Sequence, residues 1–229
     1  MKFMSRIPFL SMLHWVFLFF GSSFVKAKNV AMTSSGVAVA ANGAQLIVQQ
    51  SASSQPVNQP LPDGITSFDD VSIDAGNEAL VFALSTFPQR VCSFILFGGD
   101  LTLVNCVGEG DNFGVSPFCG VSALDSTLII SGGTVGLTIY EYDTSSGVIS
   151  DTPSVLDLDL GVIGHPDVVL VNANVAALST DFSVGTPRFG TQMASIEGSE
   201  VTFDRDFRVQ NSLAFQLFVT PANFPLVNA

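Results

Sequence analysis

The chain has 229 residues, 47% of them hydrophobic and only 12% charged, with a formal net charge of −12. A charged share about half the usual ~25% excludes a charge-rich disordered chain, and the length suffices for one or two domains with a sizeable core. Eight scattered basic residues cannot track a phosphate backbone, so nucleic acid is not an expected partner, and an anionic membrane surface is disfavoured for the same reason.

Residues 1–27 read as a secretory signal peptide. Lys2 and Arg6 supply the basic start, an apolar run extends from Ile7 to Phe20, and Val25-Lys26-Ala27 fits a cleavage site after Ala27. The run is shorter than the ~20 residues a spanning helix needs, which favours cleavage over an uncleaved anchor. No later segment is long and uninterrupted enough to span, so no transmembrane helix is expected in the mature chain, and the expected location is secreted or otherwise exported. Cleavage removes three basic residues and the only Trp, Trp15, leaving Lys28, Arg90, Arg188, Arg205 and Arg208 against twenty acidic residues.

The mature chain, residues 28–229, repeats a strand–turn–strand pattern. Its units start near residues 36, 70, 120 and 167, each led by a valine: Val37, Val71, Val121 and Val168. A fifth unit opens near 212, and the last is possibly incomplete. Between the first two, Gln49 to Gly64 is rich in Ser, Gln and Pro and reads as a linker or long surface loop. Arg90 to Gly108 reads as a hairpin around Gly98-Gly99, and Gly136 to Ser150 as two strands around Ser145-Ser146-Gly147. Aspartate and leucine alternate from Leu156 to Leu160, as in a strand with one wet face. Thr186 to Gln192 reads as a polar loop exposing Arg188. With almost no long amphipathic helix in the pattern, the expected fold class is all-β.

The units resemble β-propeller repeats of the WD-repeat and YVTN type. Gly164-His165, Val168 and Leu178 to Asp181 are similar to the frame of a WD repeat, Ile130 to Gly133 and Thr138 to Tyr140 to its second and third strands, and Asn42-Gly43 through Val48 to a YVTN turn and strand. No Trp-Asp dipeptide occurs. The resemblance implies a small or partial propeller, whose open blade edge would permit self-association. A two-sheet β-sandwich is the alternative architecture.

Three cysteines, Cys92, Cys106 and Cys119, enter an oxidising compartment. If the hairpin turns through a three-residue loop, Gly98-Gly99-Asp100, then Cys92 stands opposite Cys106 at a separation a disulfide can bridge. A two-residue loop puts them out of register. The other reading is free thiols packed as small hydrophobes.

His165 is the only histidine left after cleavage, which excludes a multi-histidine metal site; it is expected to bond within its own repeat. Asp69, Asp70 and Asp167 stand at the starts of their repeats, positions that the resemblance places near one mouth of a central channel. There they could bind Ca²⁺ or a cationic ligand, or serve as solvated turn residues. No cofactor is otherwise expected. The function expected is a binding or interaction scaffold with an unidentified protein or small-molecule ligand. The alternatives are a metal-dependent, lactonase-like hydrolase using the acidic channel residues, and a structural or cell-surface component.

Overall fold

The computed structural model describes residues 25–27, 29–86, 88–110, 118–132, 137–153, 155–157, 167–181, 189–197, 200–203 and 207–208. These residues are all-β, and they form four antiparallel sheets in chain order. Sheet I holds β1 (Val25–Ala27), β2 (Val30–Met32), β3 (Ala38–Ala41), β4 (Leu46–Gln49) and β5 (Val57–Gln59). Sheet II holds β6 (Asp70–Ile73), β7 (Leu80–Ser85), β8 (Gln89–Phe97) and β9 (Asp100–Gly110). Sheet III holds β10 (Phe118–Leu124), β11 (Thr127–Gly132), β12 (Leu137–Glu141) and β13 (Val155–Asp157). Sheet IV holds β14 (Val168–Asn172), β15 (Val175–Asp181) and β16 (Phe189–Glu197), with β17 (Glu200–Phe203) and β18 (Phe207–Arg208) sharing the far side of β16. Within each sheet a strand pairs with the next in sequence, except that β18 pairs with β16. Short polar turns permit this: between β10 and β11, Asp125 and Ser126 both take positive φ, the backbone of a two-residue primed hairpin turn.

Three apolar layers join the sheets face to face. Because side chains alternate along a strand, an inner sheet needs apolar residues on both faces, and this explains the unbroken run Leu80 to Leu84. Val81 and Ala83 face sheet I with Val39, Val48, Phe68 and Phe94, whereas Leu80, Phe82 and Leu84 face sheet III with Val121, Leu128, Ile130 and Tyr140. The other face of sheet III carries Ile129, Leu137 and Ile139 against Val168, Leu170, Ala176 and Leu178 of sheet IV. Full burial of one such side chain contributes about 1.5–3 kcal/mol. Aromatic pairs fill the two larger layers: Phe68 and Phe94 meet edge to face at 5.9 Å between ring centres, and Phe82 and Tyr142 at 4.6 Å. The two-sheet sandwich is therefore replaced by four stacked sheets.

The first strands of sheets II, III and IV adjoin one another in turn, and β2 takes that place in sheet I. β6 packs against β2 and β10, and β10 against β14. Side chains of β6 and the residue after it reach the backbone of β10: the N–H groups of Val121, Ala123 and Asp125 donate to Asp70 (2.8 Å), Ser72 (3.1 Å) and Asp74 (3.4 Å). Both series rise together, so the two strands run in the same direction. Ser122 continues the pattern by accepting from the Leu170 N–H at 2.9 Å.

Several local expectations are corrected. In the later units the leading valine lies on the first strand of its sheet, but Val37 precedes β3. The strand equivalent to β6 is β2, led by Asn29-Val30, so the first unit begins one strand before the Val37 pattern. The Gln49–Gly64 stretch contains β5, whose Gln59 is buried. In 136–150 only β12 is a strand; a single bridge, Tyr142 to Ile149, stands for the second. From Phe189 onward the expected polar loop is strand β16. The fifth unit, near 212, lies outside the described residues, and no helix among the described residues is long and apolar enough to cross a membrane.

Candidate functional site

The start of β6 is built from polar residues in a strand that is buried throughout. Asp70 is 0% exposed. Its Oδ1 accepts the Asn29 N–H at 2.9 Å from sheet I, and its Oδ2 accepts the Val121 N–H from sheet III. One carboxylate thus ties three sheets, as a buried charge must when hydrogen bonds replace its water. Asp69 turns instead into its own sheet, where Oδ2 accepts the Thr86 N–H at 2.8 Å. Asp167 is buried, and its Oδ1 accepts the N–H of the adjacent Val168 at 2.9 Å.

Asp70 and Asp167 lie on opposite sides of the start of β10. Val121 donates to Asp70, while a Cβ on Gly120 would come within 3.0 Å of the Asp167 Cα. The acidic starts are therefore at the same end of consecutive strands, with carboxylate oxygens turned to backbone amides. His165 lies outside the described residues. Among the described residues no group of three or more His, Cys, Asp or Glu side chains gathers around a common point.

Cys92 pairs with Cys106 across β8 and β9, and the two form a disulfide with sulfurs 2.05 Å apart. The turn differs from the expected three-residue loop. Phe97 faces Asp100 across a two-residue turn, Gly98-Gly99, both with positive φ. A bulge follows: Phe94 pairs with Leu103 but Ser93 with Asn105, leaving Val104 over. That extra residue restores the register that a two-residue turn alone would miss.

The tip of this hairpin is the part that sequence reasoning did not single out. Phe97 is 83% exposed, with Ile95 and Leu103 also exposed nearby on the same two strands. The backbone behind Phe97 is held: Gln50 donates from its side chain to the Gly98 carbonyl, and Gln59 donates to the Gly99 carbonyl at 3.3 Å and accepts the Leu101 N–H at 3.0 Å. The only sequence signal was an aromatic residue directly before Gly-Gly. The pinning glutamines lie some forty residues earlier, in a stretch whose polarity suggested a loop.

A second presented turn leads from β12 to β13. The Asp143 carboxyl is held down to about 2 by the Ser145 hydroxyl and then by the N–H groups of Ser146 and Ser145. This turn is fastened to sheet II, where the Asn105 side chain both donates to and accepts from the Ile149 backbone, at 2.9 and 3.0 Å.

Compared with known proteins, the chain matches no family model and no curated protein sequence.

Proposed function

We propose that this protein is an exported interaction scaffold: a whole or partial β-propeller-type repeat whose hairpin turns form the contact surface. The observation that carries the reading is Phe97, a large aromatic left in solvent on a tip that two glutamine side chains hold in place. Binding hot spots favour aromatic residues, and a tip whose backbone is already held loses little freedom on binding. Asp70 supports the same reading from the other side, since both its oxygens are engaged with backbone amides.

The radial architecture is supported by the same-direction run of first strands and by the side-chain bonds between them. Export is supported by the leader pattern and by the disulfide, which belongs to an oxidising compartment. Cleavage after Ala27 would also remove β1, leaving β2 to lead a four-stranded sheet like II and III.

The test runs two assays on the purified protein. Immobilised protein is offered extracellular proteins and glycans from its source, with Phe97→Ala as control, and soluble protein is offered a panel of lactones and aryl esters with Ca²⁺ or Zn²⁺. The scaffold reading expects saturable binding that Phe97→Ala weakens at least tenfold, and no turnover above buffer. Turnover that disappears in Asp69→Asn would overturn it in favour of a hydrolase.

A further inference from the structure

At the opposite end of β6 from Asp70, two carboxylates and a phenol face one small gap. Asp74, immediately after β6, is 0% exposed. Its Oδ1 accepts the Gly76 N–H at 2.9 Å and the Asp125 N–H at 3.4 Å, but its Oδ2 has no hydrogen-bond partner. Asp125 occupies the exposed turn between β10 and β11. Its Oδ1 lies 2.7 Å, and the Asp74 Oδ1 3.4 Å, from the point a Cβ on Gly76 would occupy. Glycine at this position therefore leaves open the space on which both carboxylates converge.

Tyr142 is a separate pointer into the same place. It is 4% exposed, and its hydroxyl makes no hydrogen bond of good geometry, Asp74 being the acceptor within its reach. Its N–H bonds to the Ser126 carbonyl at 3.0 Å, beside the Asp125 turn. Burial first, then the charge of Asp74, a hydrogen bond to Asp74 within the phenol's reach and last the charge of Asp125 push its pKa up, so both carboxylates bear on this phenol. The phenol has one proton and can satisfy at most one oxygen, which leaves two negative charges. Arg90, the one basic residue of sheets II and III among the described residues, sits elsewhere: it pairs with Ser85 at one end of β7, whereas the Asp74 N–H bonds to the Leu80 carbonyl at the other. A buried carboxylate without a counter-charge is costly.

We infer that Asp74, Asp125 and the Tyr142 hydroxyl form a binding site for a hard divalent cation of the calcium class, joining sheet II to sheet III. Oxygen-only donors and two carboxylates suit Ca²⁺, which takes six to eight oxygens; water fills the remaining positions. One side of the site is the exposed Asp125 turn, which gives the ion access. The low ligand charge places the affinity in the range of extracellular calcium modules, with Kd on the order of 0.1–1 mM. The site is distinct from the acidic strand starts, where Asp70 spends its oxygens on amides.

Tb³⁺, a calcium surrogate whose luminescence is sensitised by a nearby tyrosine, tests this directly. The probe is the full chain carrying Trp15→Phe, so that Tyr140 and Tyr142 are its only tyrosine or tryptophan donors. The expected result is tyrosine-excited Tb³⁺ emission that millimolar Ca²⁺ displaces. Asp125→Asn, at an exposed turn position, should weaken binding about tenfold, and Asp69→Asn should leave it unchanged. Tyr142→Phe should lower the sensitised emission more than it weakens Ca²⁺ binding, measured separately by calorimetry. No Ca²⁺-displaceable emission, or emission that Asp125→Asn leaves intact, would overturn the assignment; so would loss of emission in Asp69→Asn.

Discussion

The Asp70 carboxylate accepts the Val121 N–H at 2.8 Å, joining the first strand of sheet II to the first strand of sheet III. The same carboxylate accepts from Asn29 of sheet I. One step further along the chain, the position equivalent to Asp70 is Gly120. No side chain can bridge to sheet IV from there, and the Val168 N–H is met by its own neighbour, Asp167.

Gly120 is glycine because the sheets approach too closely for anything else. An added Cβ would stand 3.0 Å from both the Asp167 Cα and the Val168 N, and 2.9 Å from Ser131 Oγ. Two of these are backbone atoms, which cannot swing aside. Gly120→Ala should cost about 1–3 kcal/mol, measured as a fall in the urea midpoint at unchanged m-value. Unchanged stability would mean that the two sheets stand further apart.

The Cys92–Cys106 bridge closes a loop with a sequence separation of 14. In the chain-entropy picture a loop of this size contributes about 3 kcal/mol. The double variant Cys92→Ser, Cys106→Ser should lose about that much in equilibrium unfolding, and reductant should destabilise the wild type but not the variant. Recovery of both cysteines as alkylated thiols from non-reduced protein would contradict the bridge.

Tyr142 gives the fold an alkaline limit. Its folded-state pKa is raised, mainly by burial, above the ordinary 10.0. The unfolded phenol therefore ionises first: the contribution to stability is whole below pH 10 and falls as pH rises above it. Denaturation in EDTA at pH 9 and pH 11 should show a steeper loss for wild type than for Tyr142→Phe. Equal slopes would show that the phenol is solvated in the folded protein.

Strand sequence was legible wherever burial on two faces forces a continuous apolar run, as at Leu80 to Leu84, and wherever turn residues punctuate it, as at Gly98-Gly99. The pairing of Cys92 with Cys106 could be anticipated, but from the wrong turn, because a bulge at Val104 leaves no mark in composition. The first unit was misplaced because Asn29-Val30-Ala31-Met32 is short and lies beside the leader, while Val37 to Ala41 imitates the repeat more closely. Asp70 stood out as an acidic strand start, but its role did not. Whether a carboxylate faces water or two amides depends on strands from other sheets, and no local pattern encodes that. Phe97 and the Asp74–Asp125–Tyr142 group escaped for the same reason: each depends on a partner about forty to seventy residues away, Phe97 on the glutamines and Asp74 on Asp125 and Tyr142.

The most direct test of the claim that the acidic strand starts hold the sheets together is the unfolding free energy of Asp70→Asn. The substitution keeps the volume but replaces one acceptor oxygen with a donor that faces a backbone N–H. Hydrogen bonds to charged groups contribute about 1.5–3 kcal/mol each, so the account predicts a loss of at least ~2 kcal/mol, with or without Ca²⁺. Stability within ~0.5 kcal/mol of wild type would contradict it, and would mean that the carboxylate is free to bind a ligand.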